Sequence, residues 1–281
     1  MKREAAPMPL FVGTAGWSVS SRYAEDVPGP GSHLERYARR LNAVEINSSF
    51  YRPHQTKTYA RWAASTPDGF RFSVKIPKTV SHERGLVGCD GLLDAFAEGV
   101  SGLGRKLGAL LLQLPPSSTI DMRAAEAFFA AIRARLDAPL ACEPRHDSWF
   151  TPEADRWLAE LRVTRVAADP ARPPGADEPG GWPGLRYWRW HGSPRIYYSD
   201  YDEAALASLR RRVGEGPSGA PTWCVFDNTA SGAALGNALT FAGMQDGRLG
   251  EPACDSPVAR RCSADVVERE NLADRGSDVG K

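Results

Sequence analysis

The stretch LRYWRWHG, residues 185–192, sets the reading of the whole chain. Two tryptophans, Trp188 and Trp190, alternate here with Tyr187, Arg189 and His191. Successive side chains of an extended strand leave opposite faces, so one face is apolar and the other carries a phenol, a guanidinium and an imidazole. Polar groups on a buried face are costly unless paired, so that face is expected to meet partners from other strands.

Seven more runs of this kind occur: LFVGTAGW (10–17), AVEINSSFY (43–51), RFSVKIP (71–77), ALLLQLP (109–115), LACEPRH (140–146), TRVAAD (164–169) and PTWCVFDN (221–228). Between them lie SHLERYARRL, TYARWAAST, GLLDAFAEGVSGLG, AAEAFFAAIRARL, PEADRWLAELR and DEAALASLRRRV. Most of these show the i, i+3, i+4 apolar spacing of a helix laid on a sheet. Eight strands alternating with helices predict an α/β chain folded as a (β/α)8 TIM barrel, a single domain over residues 9–243. A doubly wound open sheet is the structural rival, disfavoured because no GxGxxG turn follows the first run. PARPPGADEPGGWP (170–183) predicts an irregular sixth connection. Residues 244–281 carry six basic and eight acidic residues with few large apolar ones, which predicts a disordered polar tail.

The same alternation sorts the other runs. Val44 and Ile46 turn toward the helices and leave Glu45 and Asn47 inside; Phe72, Val74 and Ile76 leave Ser73 and Lys75 inside. Leu111 and Gln113 face inward, as do Ala141, Glu143 and Arg145. Glu45, Lys75, Glu143, Arg145, Asp169, Arg189, His191 and Asn228 all fall at or near C-terminal strand ends, where barrel enzymes place their working groups.

Composition narrows the function classes. Lys plus Arg number 35 and Asp plus Glu 34, so no global charge excess points to a polyanion, and any anion site must be local. The five cysteines show no CxxC pair, which argues against a zinc knuckle or a disulfide framework. The first residues, MKREAAPMPLFVGTAGW, hold no long apolar run, and no stretch approaches a membrane span; a reducing cytoplasm is the expected address.

VGTAGW, VEINSSFYR, WAASTPDGFRFSVKIPKTVSH, LGALLLQLPPS, CEPRHDSWF, YWRWHG and VFDNTASGAALGNAL, in this order from Val12 to Leu239, together resemble the YecE-like family, domain of unknown function 72. The resemblance implies a TIM barrel and no established reaction. It covers Gly13, Thr14, Gly16, Trp17, Glu45, Asn47, Phe50, Tyr51, Lys75, His82, Gln113, Leu114, Pro115, Glu143, Arg145, His146, Trp149, Arg189, His191, Gly192, Asn228 and Asn237. The family commonly has an aromatic residue where Pro144 stands, and a proline is unusual in a central strand.

These residues suggest acid/base chemistry by Glu45, Lys75, Glu143 and His191 on a phosphorylated, nucleotide-like or nucleic-acid substrate. Arg145, Arg189 and Lys75 would clamp its anion. Asn47, Tyr51, His82, Gln113, His146, Trp149, Asp169 and Asn228 complete the expected binding surface. The expected partner is a small anionic or phosphorylated ligand, or a nucleic-acid end, with no membrane contact. No cofactor is expected. The alternatives are a divalent metal among Glu143, Asp169, His146, His191 and His82 serving phosphoester hydrolysis, and a nucleotide-binding or nucleic-acid-binding module without turnover. A Schiff-base role for Lys75 ranks below the metal, because two nearby glutamates are expected to keep the amine protonated.

Overall fold

The computed structural model describes residues 9–215 and 219–244; the tail expected from 244 onward lies, Met244 apart, outside the described residues. Ten strands appear: β1 (Leu10–Thr14), β2 (Ala43–Ile46), β3 (Arg71–Lys75), β4 (Leu107–Gln113), β5 (Leu140–Glu143), β6 (Val163–Arg165), β7 (Ala167–Asp169), β8 (Gly180–Gly181), β9 (Arg186–Trp190) and β10 (Thr222–Phe226). The eight runs are all present, the sixth divided in two, and β8 adds a two-residue antiparallel pairing with β6 inside the proline-rich connection. Seven helices alternate with them: α1 (His33–Tyr37), α2 (Thr56–Ala64), α3 (Asp90–Val100), α4 (Met122–Arg133), α5 (Pro152–Glu160), α6 (Glu203–Gly214) and α7 (Ala233–Gly243). The strand-to-helix turns are fixed locally: Asp121, Thr151 and Asp202 each accept the backbone N–H three residues on, at the starts of α4, α5 and α6. Periodicity does not reveal the helix α7, because its GAALGNAL sequence is apolar nearly all round.

The fold is mixed α/β with two mainly parallel sheets, ordered β1-β10-β9-β7 and β2-β3-β4-β5-β6-β8. A register pairs Gln113 with Glu143 and another pairs Arg189 with both Val225 and Ala168, so the strand ends lie level within each sheet. β5 stops at Glu143, since Pro144 has no N–H to continue the ladder.

The two sheets meet at two places without a continuous ladder. Between β1 and β2 the only backbone pairing is the bridge of Ala15 with Glu45. Side chains supply the rest: Asn42 accepts from Val12 N–H and donates to the Leu10 carbonyl, while the Tyr37 hydroxyl accepts from Thr14 N–H and donates to the Ala43 carbonyl. Gly13 makes this approach possible, because a Cβ there would lie 2.1 Å from the Ala43 carbonyl oxygen. The second meeting is at Val166, where the sixth strand changes partners, β6 pairing with β5 and β7 with β9.

Alternation along the strands divides the core. Val44, Ile46, Phe72, Val74, Ile76, Leu110, Leu112, Trp188, Trp190 and Phe226 pack with residues of the helices. The opposite parity, Ala43, Ala109, Leu111, Ala141, Tyr187, Trp223 and Val225, forms a separate inner cluster in which the Tyr187 and Trp223 rings stack 5.8 Å apart. That cluster is the floor on which the polar strand ends stand.

Candidate functional site

Arg189 lies at the centre of the polar strand ends and is wholly buried. Its Nε and Nη2 donate to both Glu45 oxygens at 3.0 and 2.8 Å, Nη1 donates to Glu143 Oε2, and Nη2 also reaches Asp227 Oδ2 at 3.0 Å. From below, the Tyr187 hydroxyl contacts Glu45 Oε2 at 3.0 Å and Ser73 Oγ at 2.8 Å. Three buried carboxylates around one guanidinium leave negative charge to be balanced, and the remaining cations do this.

His191 lies between two of the carboxylates, Nδ1 3.0 Å from Asp227 Oδ2 and Nε2 3.1 Å from Glu143 Oε1. Each ring nitrogen faces an acceptor, so both must donate and the ring is an imidazolium. Burial works against that charge, but Glu143 and the hydrogen bond to Asp227 outweigh it and raise the pKa. Glu143 Oε1 also accepts from Gln113 at 3.0 Å and from Arg145 Nη2 at 3.0 Å. Burial alone would push the Glu143 carboxyl up; Arg189, His191 and Arg145 reverse this and hold it well below the usual carboxylate range. Asp227 is lowered in the same way, its burial overcome by Arg189 and His191.

Lys75 ends β3 and is 5% exposed. Its ammonium stands 4.2 Å over the Phe50 ring, and among the described residues no carboxylate comes within 4.0 Å of it. Burial first, then Arg189, lower its pKa, and the three carboxylates oppose them; the outcome is about 8. Glu45 and Glu143 raise the pKa of this amine, as expected of them, but Arg189 engages both carboxylates and neither pairs with it.

Glu45, Lys75, Glu143, Arg145, Arg189, His191 and Gln113 are thus brought together. His82 stands beside them on a wide helical turn, Thr79–Glu83, its ring edge-on to Phe50 with the ring centroids 5.1 Å apart. Burial and then the charges of Lys75, Arg145 and Lys78 lower its pKa. Tyr51 packs edge-on against Phe50 but is 68% exposed. Asn47 follows β2, and its side-chain oxygen is buried without a hydrogen bond among the described residues.

Four expected binding residues are engaged elsewhere. Trp149 is buried in the outer core with its indole N–H on the Ser118 carbonyl, so its ring offers no face to a ligand. The His146 ring accepts from Ser148 N–H and caps a short turn, Asp147–Trp149. Asp169 accepts from the Tyr201 hydroxyl at 2.6 Å. Asn228 donates to the Ser199 carbonyl and to Asn237, fixing the connection after β9. A metal among Glu143, Asp169, His146, His191 and His82 would require donors that already hold other partners or lie apart. Equally, a carboxylate that accepts from as many donors as Glu143 does is a poor general acid, and Glu45 with its two oxygens on Arg189 and Tyr187 has the geometry of a clamp.

Two residues of the site escape a reading of the sequence at strand ends. Asp227 shares its parity with the inward Trp223 and Val225, so the alternation rule points to it over Asn228. Tyr197 comes from the loop after His191. Its hydroxyl accepts from Arg145 at 3.4 Å, its ring stands edge-on 5.7 Å from His191, and its φ of 70° is unusual for a non-glycine residue. Nothing in the local sequence announces it.

Fold and site together define a mixed α/β protein with parallel strands whose ends carry a buried arginine–carboxylate cluster. Residues 11–259 match the family described as "Protein of unknown function DUF72", and the chain belongs to that family. UPF0759 protein YecE of Escherichia coli strain K12 is 33% identical over 176 residues, 60% of this chain and 62% of that protein. UPF0759 protein YunF of Bacillus subtilis strain 168 is 27% identical over 151 residues, 51% and 53% of the two chains. The matched part thus spans less than two thirds of the length of these relatives. Among solved structures, a DUF72 family protein of Thermotoga maritima MSB8 superposes with a TM-score of 0.67 at 26% identity, covering 83% of this chain and 98% of that one. One from Enterococcus faecalis V583 gives 0.69 at 23% identity, covering 83% and 94%. Among the described residues no helix is long and apolar enough to cross a membrane.

Proposed function

We propose that this chain is an enzyme that binds a small anionic substrate, bearing phosphate or carboxylate, at its strand ends, with Lys75 and Arg145 meeting the charge. One observation carries the reading: four cationic groups, Arg189, Arg145, Lys75 and His191, face three carboxylates, Glu45, Glu143 and Asp227. Arg189 and His191 are locked inside the cluster. The surplus positive charge therefore falls on Lys75, which has no ion-pair partner among the described residues, and on Arg145, whose side chain is 21% exposed. An arginine fork with free N–H groups beside a lysine suits a phosphate or carboxylate.

In the same proposal the two sheets are arcs of one (β/α)8 barrel over residues 9–243, joined by Tyr37 and Asn42 at one seam and by the partner change at Val166 at the other. A chain ending at Met244 is then expected to melt within about 2 °C of the full chain, since the expected tail has little apolar surface to bury.

The test is a thermal-shift titration of inorganic phosphate and a nucleoside monophosphate in the presence of chelator, on wild type, Arg145→Ala and Lys75→Met. A ligand held only by the folded state raises the melting temperature by mass action. Wild type should be stabilised, and each variant should lose most of the shift. The absence of any shift with wild type, or equal shifts in all three, refutes the anion reading. A shift that appears only on adding manganese returns the site to metal chemistry.

A further inference from the structure

We propose that Lys75 is an amine nucleophile that forms an iminium with the carbonyl of its substrate, so that the substrate is an aldehyde or ketone carrying a phosphate or carboxylate. The anionic part of this proposal rests on the reading above; the covalent part rests on Lys75 itself.

The other described lysines show what is unusual here. Lys57 is exposed, Lys78 pairs with Glu83 at 3.2 Å, and Lys106 donates to the Ala63 and Thr66 carbonyls. Lys75 is the buried one with neither a carboxylate nor a carbonyl on its nitrogen. A lysine that only needed to hold an anion would work well while paired or solvated, and burial at 5% exposure costs more than the Phe50 ring face returns. For a nucleophile the same surroundings are useful. The face of the Phe50 ring favours the ammonium, whereas burial and the fixed charge of Arg189 favour the neutral amine, the form that attacks carbonyl carbon, and they prevail. The pKa of about 8 leaves roughly a tenth of the amine neutral at pH 7. The three carboxylates that would oppose this are occupied by Arg189, His191 and Arg145. The cluster therefore has a use beyond register: it keeps carboxylates close without letting any of them pair with Lys75.

The step balances without an oxidant or a cofactor. The nitrogen lone pair forms a bond to the carbonyl carbon as the C=O π pair moves to oxygen, and a proton passes from nitrogen to that oxygen to give a carbinolamine. The hydroxyl leaves as water with one proton taken from solvent, and the nitrogen lone pair closes the C=N bond. One amine, one carbonyl and one proton give one iminium and one water. Arg145 is 3.0 Å from Glu143 on the same rim and would hold the phosphate or carboxylate of the substrate.

The experiment uses the full chain at pH 7 with sodium cyanoborohydride and three probes: pyruvate, dihydroxyacetone phosphate and acetone. Reduced adducts are mapped by peptide mass spectrometry on wild type, Arg145→Ala and Lys75→Arg. Lys75 should be modified by the two anionic probes about tenfold or more faster than the exposed Lys57, because burial and Arg189 lower its pKa. Arg145→Ala should slow the anionic probes more than it slows acetone, and Lys75→Arg should show no adduct at position 75. If Lys75 reacts no faster than Lys57 with any probe in the wild type, the amine proposal is overturned, whether or not phosphate still binds. If Lys75 reacts rapidly but acetone matches pyruvate, the amine stands and the anion reading falls.

Discussion

Two of the arginines buried on strands, Arg165 and Arg189, are satisfied in different ways. Arg165 on β6 points toward the helices, donating to both Asp155 oxygens at 2.7 and 3.0 Å and to the Gly175 and Glu178 carbonyls. One carboxylate and two backbone oxygens complete it, and the result is a clip between α5 and the proline-rich connection. Arg189 points inward and meets three carboxylates from three strand ends. That arrangement cannot close on itself: it requires His191 and Arg145, and leaves Lys75 beside the cluster unpaired. The outward arginine ends a structure, whereas the inward one creates a charged surface.

The contrast can be broken by removing each guanidinium. Arg189→Leu strips the cation from three buried carboxylates and should cost about 3–5 kcal/mol, while Arg165→Leu, whose carboxylate is one-third exposed, should cost about 1–3 kcal/mol. Equal losses in urea unfolding would show that the inward cluster is no more demanding than the clip.

Lys75→Met should have the opposite sign. The buried lysine's pKa is lower folded than unfolded, so between about pH 8 and its ordinary value of 10.5 the unfolded chain holds more protons and stability rises with pH. Below that window the charged lysine destabilises the fold by about 3 kcal/mol, which the methionine variant should recover at pH 7. The advantage of the variant should shrink as pH climbs from 8 to 10.5. A variant no more stable than wild type at pH 7 would mean that Lys75 is solvated or paired in solution.

A smaller effect is expected for Glu143→Gln, about 1–3 kcal/mol, together with tighter phosphate binding because one negative charge leaves the site. The Glu143 carboxyl is lowered in the fold, so its contribution is present above the ordinary value of 4.5 and disappears as pH falls through the folded value. The difference between wild type and variant should therefore narrow below pH 4.5. Unchanged or weaker phosphate binding would contradict the charge surplus. Least of all, Arg145→Ala should change stability by about 1 kcal/mol or less, since its side chain is part-exposed and Glu143 keeps its other partners. A loss as large as that of Arg189→Leu would make Arg145 a structural member of the cluster.

Much of the site is legible wherever alternation is followed to the end of a strand. Glu45, Lys75, Glu143, Arg145, Arg189 and His191 follow from parity, and all gather around Arg189. Asp169 and Asn228 enter only as residues at strand ends, and parity argues against both: Asp169 follows the outward Arg165 and Ala167, and Asn228 the outward Cys224 and Phe226. His146 has the parity opposite to Glu143 and Arg145, and Trp149 lies in the turn Asp147–Trp149, where alternation no longer applies.

By itself the sequence determined the number of strand runs, the helices between most of them and the face on which each strand carries its polar groups. These follow from periods of two and of 3.6 residues and need no knowledge of distant partners. Only the tertiary structure decided which oxygen each cation takes. Arg189 meets a glutamate 144 residues away in sequence, and Tyr187 meets a serine 114 residues away. Such pairings depend on strand order and register across two sheets, and these decided that Arg189, not Lys75, took the carboxylates.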